Sequence, residues 1–209
     1  MRRAILRGIK LSPITVALCL ALSCRTSGQV HDRFEGWCDS LQNASSPDLV
    51  QFLNAVVPDE ENARCVTWAI HRLGNEHYEP AITTLVRLLD FHRPQSPGGE
   101  IFHGLSKELF PAEVALELIG KKALPELLRA IEAASTSKTA RENAVSVWME
   151  AYKYERPKGV ALLKQEETRP NNDPLKERLN WAVQKALTHC GPQEQAACRE
   201  AAADRPSAR

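Results

Sequence analysis

Four apolar residues spaced i, i+3, i+4, i+7 recur along this chain, and only a helix puts that spacing on one face. The clearest copy lies in "VALELIGKKALPELLRAI", residues 114–131, where Leu124, Leu127, Leu128 and Ile131 hold it. Ile82, Leu85, Val86 and Leu89 repeat it, and so do Leu49, Phe52, Leu53 and Val56. Aromatics make up 6% of the 209 residues, which fits helix better than a sandwich of aromatic and β-branched strands. The expected class is all-α.

A second pattern precedes the first. Ala115-Leu116-x-x-Ile119-Gly120 matches Ala69-Ile70-x-x-Leu73-Gly74, and looser copies begin at Ala144-Val145 (with Trp148 and Met149) and at Ala182-Val183 (with Ala186 and Leu187). The copies lie 46, 29 and 38 residues apart. Helix pairs recurring at such irregular intervals predict a short α-solenoid of stacked pairs, because one pair alone cannot bury its apolar face. Small Ala69 and Ala115 let helices approach. Gly74 and Gly120 are expected to take the positive φ that ends one helix before the next. Ser46 with Pro47, and Asp173 with Pro174, read as helix starts, and Pro58 followed by Asp59 reads as a helix end and a new cap. The third unit's second helix, "PKGVALLKQEE", has a short apolar run and an internal Gly159.

The motif Ala-hydrophobic-x-x-Ile/Leu-Gly, then Ala123-Leu124-Pro125 and a Leu-rich helix, resembles HEAT-type repeats of the variety also found in bilin-lyase-like repeat proteins. The resemblance covers about residues 59–189. In the copy at 69–89 Pro80 precedes Ala81 instead of following Ile82, and the later copies lack the glycine. It implies a HEAT-like solenoid that works through its surfaces. The matched residues are packing and turn residues, so it implies no catalysis and no cofactor.

The first residues read as an address. Arg2, Arg3, Arg7 and Lys10 precede an apolar run from Leu11 to Leu22, shorter than the roughly 20 residues that span a bilayer. Residues 1–23 are therefore expected to be a secretory signal peptide. "ALSC" supports two cleavages: a general signal peptidase site at Ala21-Leu22-Ser23, or a lipoprotein box with Cys24 acylated. Usual boxes carry Leu where Ala21 stands. An uncleaved membrane anchor is a third reading.

Loss of Cys19 with the leader and acylation of Cys24 would leave four cysteines, an even number suited to an oxidising compartment; cleavage after Gly28 would do the same. Proximity in sequence favours Cys38 with Cys65 and Cys190 with Cys198, against a free buried thiol at Cys65. The expected organisation is signal peptide 1–23, tether 24–44, helical-repeat domain 45–190, and a short helix with a tail at 191–209. Without residues 1–23 the chain keeps 23 basic and 26 acidic side chains, a net of −3, which gives no electrostatic basis for nucleic-acid binding.

Chemistry has few places to reside. The irregular stretch at 90–104 holds Asp90, His92, Glu100 and His103 without the spacing of an HExxH site, and it reads as a linker, a partner-binding loop or a metal site. His71 and His77 lie six apart across a helix end, which suits helix-end complementation better than paired ligation. Gly98-Gly99 is not followed by a P-loop signature, and Ser106 and Ser146 lack a nucleophile elbow. Tyr154 and Arg156 are the surface candidates in "WMEAYKYERPKG", with Trp148 and Tyr152 assigned to the core. These readings predict a non-enzymatic, exported, lipid-anchored protein of the bacterial cell envelope or periplasm. It would contact an unidentified protein through His92, His103, Tyr154 and Arg156. The alternative is an envelope enzyme or metal-binding accessory protein using the 90–104 loop.

Overall fold

The structure, a computed structural model, describes residues 38, 41–93, 109–169 and 172–203. The chain divides into two compact units, residues 1–43 and 44–209. In the first, Cys38 is half-buried and disulfide-bonded. The second is all-helical across its described residues.

Helix α1 spans Ser46–Ala55. It starts one residue earlier than expected, because Ser45 caps it: its N–H and Oγ both donate to Asp48 Oδ2, at 3.1 and 2.5 Å. Leu49 and Leu53 are buried, and Pro58 lies in the turn that follows. There Asp59 Oδ1 accepts the N–H groups of Glu61 and Asn62 at 3.1 and 2.9 Å, so it caps the turn leading into the next helix.

Helix α2 spans Ala63–Asn75 and buries Cys65, Val66, Ala69, Ile70 and Leu73. Gly74 does not end it. It lies inside the helix, where a Cβ would meet Ala115 Cα at 2.6 Å. Its missing side chain therefore serves the close approach of α2 to α4. The left-handed position belongs to His77, with φ 49°, a residue type enriched there because its side chain can hydrogen-bond nearby.

A 3₁₀ turn at Glu79–Ala81 runs into α3, Ile82–Arg87. Helix α4 spans Pro111–Ile119 and α5 spans Leu124–Glu132, joined by a 3₁₀ turn at Gly120–Ala123. Gly120 has φ +74°, as the sequence led one to expect. Helix α6 (Lys138–Ala151) is capped by Ser137 Oγ, which accepts Ala140 N–H at 3.1 Å. Helix α7 spans Arg156–Glu167, so Gly159 does not break it. Instead Gly159 admits the Tyr152 ring, 3.1 Å from where a Cβ would stand, and its carbonyl accepts Trp148 Nε1–H at 3.0 Å in the core. Helix α8 (Asp173–Leu187) is capped by Asn172, one residue before the expected Asp173. Helix α9 spans Gln195–Ala202.

The recurrent motif positions are buried in all four copies: Ala69, Ile70 and Leu73; Ala115, Leu116 and Ile119; Ala144, Val145 and Trp148; Ala182, Val183 and Ala186. Their helices pack in one row, α2 on α4, α4 on α6 and α6 on α8. Each large side chain fully buried there is worth about 1.5–3 kcal/mol relative to exposure. Among the second helices, α3 packs on α5 and α7 on α9, while α5 packs on α8.

Side chains also close the carboxyl ends of these helices. Arg87 donates to the Leu53 carbonyl at the end of α1, at 2.6 Å. Asn143 of α6 donates to the Leu89 carbonyl after α3 at 2.7 Å, and Arg178 of α8 donates to the Glu132 carbonyl at the end of α5 at 2.7 Å. The last two ties repeat one relation a unit apart. Cys190 and Cys198 are joined across the turn into α9, and Cys65 on α2 is disulfide-bonded.

Candidate functional site

A groove of about 830 Å³ lies at the carboxyl ends of α1 and α3. Val56, Val57, Pro58, Leu88 and Phe91 line it with apolar side chains, and Asp59, Glu60, Arg87, Asp90 and His92 with polar ones. The capped turn 58–62 aims Val57 outward, and this valine is 81% exposed. Asn62 fixes that turn by donating Nδ2–H to the Val57 carbonyl at 3.0 Å. Asp90 Oδ2 accepts the Ser137 hydroxyl at 2.8 Å. Arg87 is committed to the α1 terminus, through Leu53 O and through Asn54 Oδ1 at 3.3 Å. A guanidinium there complements the negative end of the helix.

A smaller cavity of about 420 Å³ lies between α4 and the end of α6. Val114, Leu118, Ala151 and Tyr154 line it, with Glu117, Lys121, Glu150 and Lys153 around them. Tyr154 is 88% exposed and Leu118 is 41% exposed. Lys153 stands 5.3 Å from the Tyr154 ring centre and 3.5 Å from Glu150. Lys121 stands 4.8 Å from the Tyr152 ring, whose burial raises the phenol's pKa.

The predicted contact residues therefore separate. His92 is exposed on the large groove and Tyr154 on the small one. Arg156 is half-buried at the start of α7, and its Nη1 lies 3.3 Å from Glu194 Oε2 of the turn before α9. Cys24, Glu100, His103 and the leader at 1–23 lie outside the described residues, as does most of the 90–104 stretch. Among the described residues, no three His, Cys, Asp or Glu side chains gather as a metal set. His77 is tied elsewhere: its Nδ1 stands 2.7 Å from the Leu118 carbonyl. A carbonyl only accepts, so the proton resides on Nδ1.

Val57, Phe91 and Leu118 escaped the sequence reading. The one available signal was Val57 itself, an apolar residue just past the α1 face and directly before Pro58. The other two gain meaning only from neighbours distant in sequence.

Across its described residues the chain is an all-helical protein. Compared with protein-family models, with curated proteins and with solved structures, the chain matches none. One feature bears on where it works. Cys190–Cys198 and the bonded Cys38 and Cys65 suit an oxidising compartment. No helix among the described residues is long and apolar enough to cross a membrane.

Proposed function

We propose that this chain is a HEAT-like α-solenoid, exported and held at a membrane face through acylated Cys24, whose surface grooves bind another protein of the cell envelope. The observation that carries the reading is the burial of motif-equivalent residues along the single row α2–α4–α6–α8. The repeated carbonyl ties from α6 to the end of α3 and from α8 to the end of α5 support it. Packing and turning account for the motif residues, which leaves the helix ends to make contacts. Acylation with two or more chains anchors stably without a membrane-spanning helix.

The test has two arms. Metabolic labelling with a palmitate analogue should mark the wild type and leave Cys24→Ser unmarked; equal label in both removes the anchor. Photocrosslinkers placed at Val57 and at Tyr154 should each yield a defined adduct in whole cells if that groove contacts a partner. The absence of adducts from both sites removes the interaction reading.

A further inference from the structure

The large groove joins an apolar wall to carboxylates that have no cation of their own. Asp59, Glu60 and Asp90 stand on its polar side, and among the described residues no ion pair reaches them. Arg87, the one permanent cation among the described residues of the wall, points its guanidinium into the α1 terminus, with Leu53 O at 2.6 Å. Its charge offsets that helix end and pairs with none of the rim carboxylates, of which Asp59 accepts two backbone N–H groups before α2 and Asp90 accepts the Ser137 hydroxyl. The carboxyl end of α3 opens on the same groove at Leu88, and it favours a positive neighbour too.

Opposite this charge, Val57 stands almost fully exposed on a turn held by Asp59 and Asn62. Its methyl groups offer a ligand apolar area to cover. Leu88 also lines the groove and is nearly buried.

We propose that this groove docks a cationic, apolar peptide segment of a partner protein, with Lys or Arg side chains against Glu60 and Asp90 and an aliphatic side chain against Val57 and Phe91. The proposal rests on the interaction reading above and names the chemistry of the partner. A peptide fits better than a small organic cation. Apolar side chains and carboxylates line the same groove, so a ligand that fills it must present both characters. A lone cation would leave Val57 uncovered. Complementary charge of this kind sets orientation and association rate, while the apolar contact holds the complex.

The experiment uses the full-length protein in detergent and two fluorescein-labelled peptides of equal length and leucine content, one with lysines and one with glutamates. Anisotropy titrations should show the lysine peptide binding about tenfold or more tightly than the glutamate peptide, with affinity falling as salt is raised. Glu60→Lys/Asp90→Lys should reverse the preference. Val57→Asn, a change at an exposed turn position that keeps the carboxylates, should weaken the lysine peptide about three- to tenfold. Equal binding of both peptides, or unchanged binding by folded variants, overturns the proposal. Spermidine displacing the peptide at matched charge assigns the groove to a small cation and also overturns it. Failure here, with a crosslinked adduct still formed at Val57 in cells, removes the cationic chemistry and leaves the interaction reading standing.

Discussion

Replacing Gly74 by alanine sets two effects of opposite sign against each other. Gly74 lies inside α2, so alanine should gain about 1 kcal/mol of helix propensity. The new Cβ, however, would stand 2.6 Å from Ala115 Cα and 2.7 Å from Ala115 Cβ. Carbon atoms rest at about 3.5–4.0 Å, so α2 and α4 must part by about 1 Å. The obstacle is backbone, and no rotamer change relieves it. Overpacking costs about 1–3 kcal/mol. A gap of that size also forfeits a quarter to a half of the dispersion energy along the contact, which places this site at the upper end. The net expectation is a loss of about 2 kcal/mol, or a fall in Tm of about 4–8 °C for a chain of this length.

Thermal and urea unfolding followed by circular dichroism measure it. Gly74→Ser should be worse than Gly74→Ala because the restraint is space. At Gly120, where φ is +74° and no atom lies within 4 Å of a built Cβ, Ala and Ser should cost alike because the restraint is backbone conformation. Adding Ala115→Gly to Gly74→Ala should restore only part of the loss, since Ala115 Cα remains at 2.6 Å. A Gly74→Ala protein with an unchanged or higher Tm would refute the packing account and leave helix propensity in control.

Two further perturbations follow from the same structure. Cys190 and Cys198 close a short loop, with a sequence separation of 8. Replacing both by serine should cost about 2.5 kcal/mol from loop entropy, measured by urea unfolding of the variant against the oxidised wild type. Burial raises the pKa of Glu132 above its ordinary 4.5, and the nearby Glu166 charge adds to this. A raised folded-state pKa for an acid means the ionised form is the unfavourable one in the fold. Its contribution is harmless below 4.5 and becomes destabilising as pH rises through the folded value. Glu132→Gln should therefore raise Tm near neutral pH and leave it unchanged in acid; a Tm difference constant with pH would exclude this titration as the cause.

Local periodicity made the helices legible, and the core with them. Ala69, Ala115, Ala144 and Ala182, with the apolar residues after each, are buried as their spacing required. Two starts were legible to within a residue, since Ser45 and Asn172 cap where Ser46 and Asp173 were expected, whereas α2 begins at Ala63 after the cap Asn62, three residues past the expected Asp59. Gly74 was misread because a glycine near a helix end has two uses, turning and close approach. Only the position of Ala115 distinguishes them. Arg156 looked like a surface residue because its partner Glu194 lies 38 residues away. The large groove was illegible for the same reason, since its two walls come from the turn after α1 and the end of α3. Whether helix pairs continue in a regular stack depends on contacts between units, and the sequence pattern specifies those only loosely.

The two rows of helices carry unequal mechanical weight. The row α2–α4–α6–α8 is continuous, whereas along the other edge α5 turns to α8 and α7 pairs with α9. Between α5 and α7 the second edge is bridged by α8, which packs on both, so opening it must part α5 from α8 and break the Arg178–Glu132 tie, while opening the first edge must part the whole α2–α4–α6–α8 row. The unit should therefore yield first along this second edge, where a single helix bridges its two halves. Its compliance is concentrated at one joint, in the middle of the helical run.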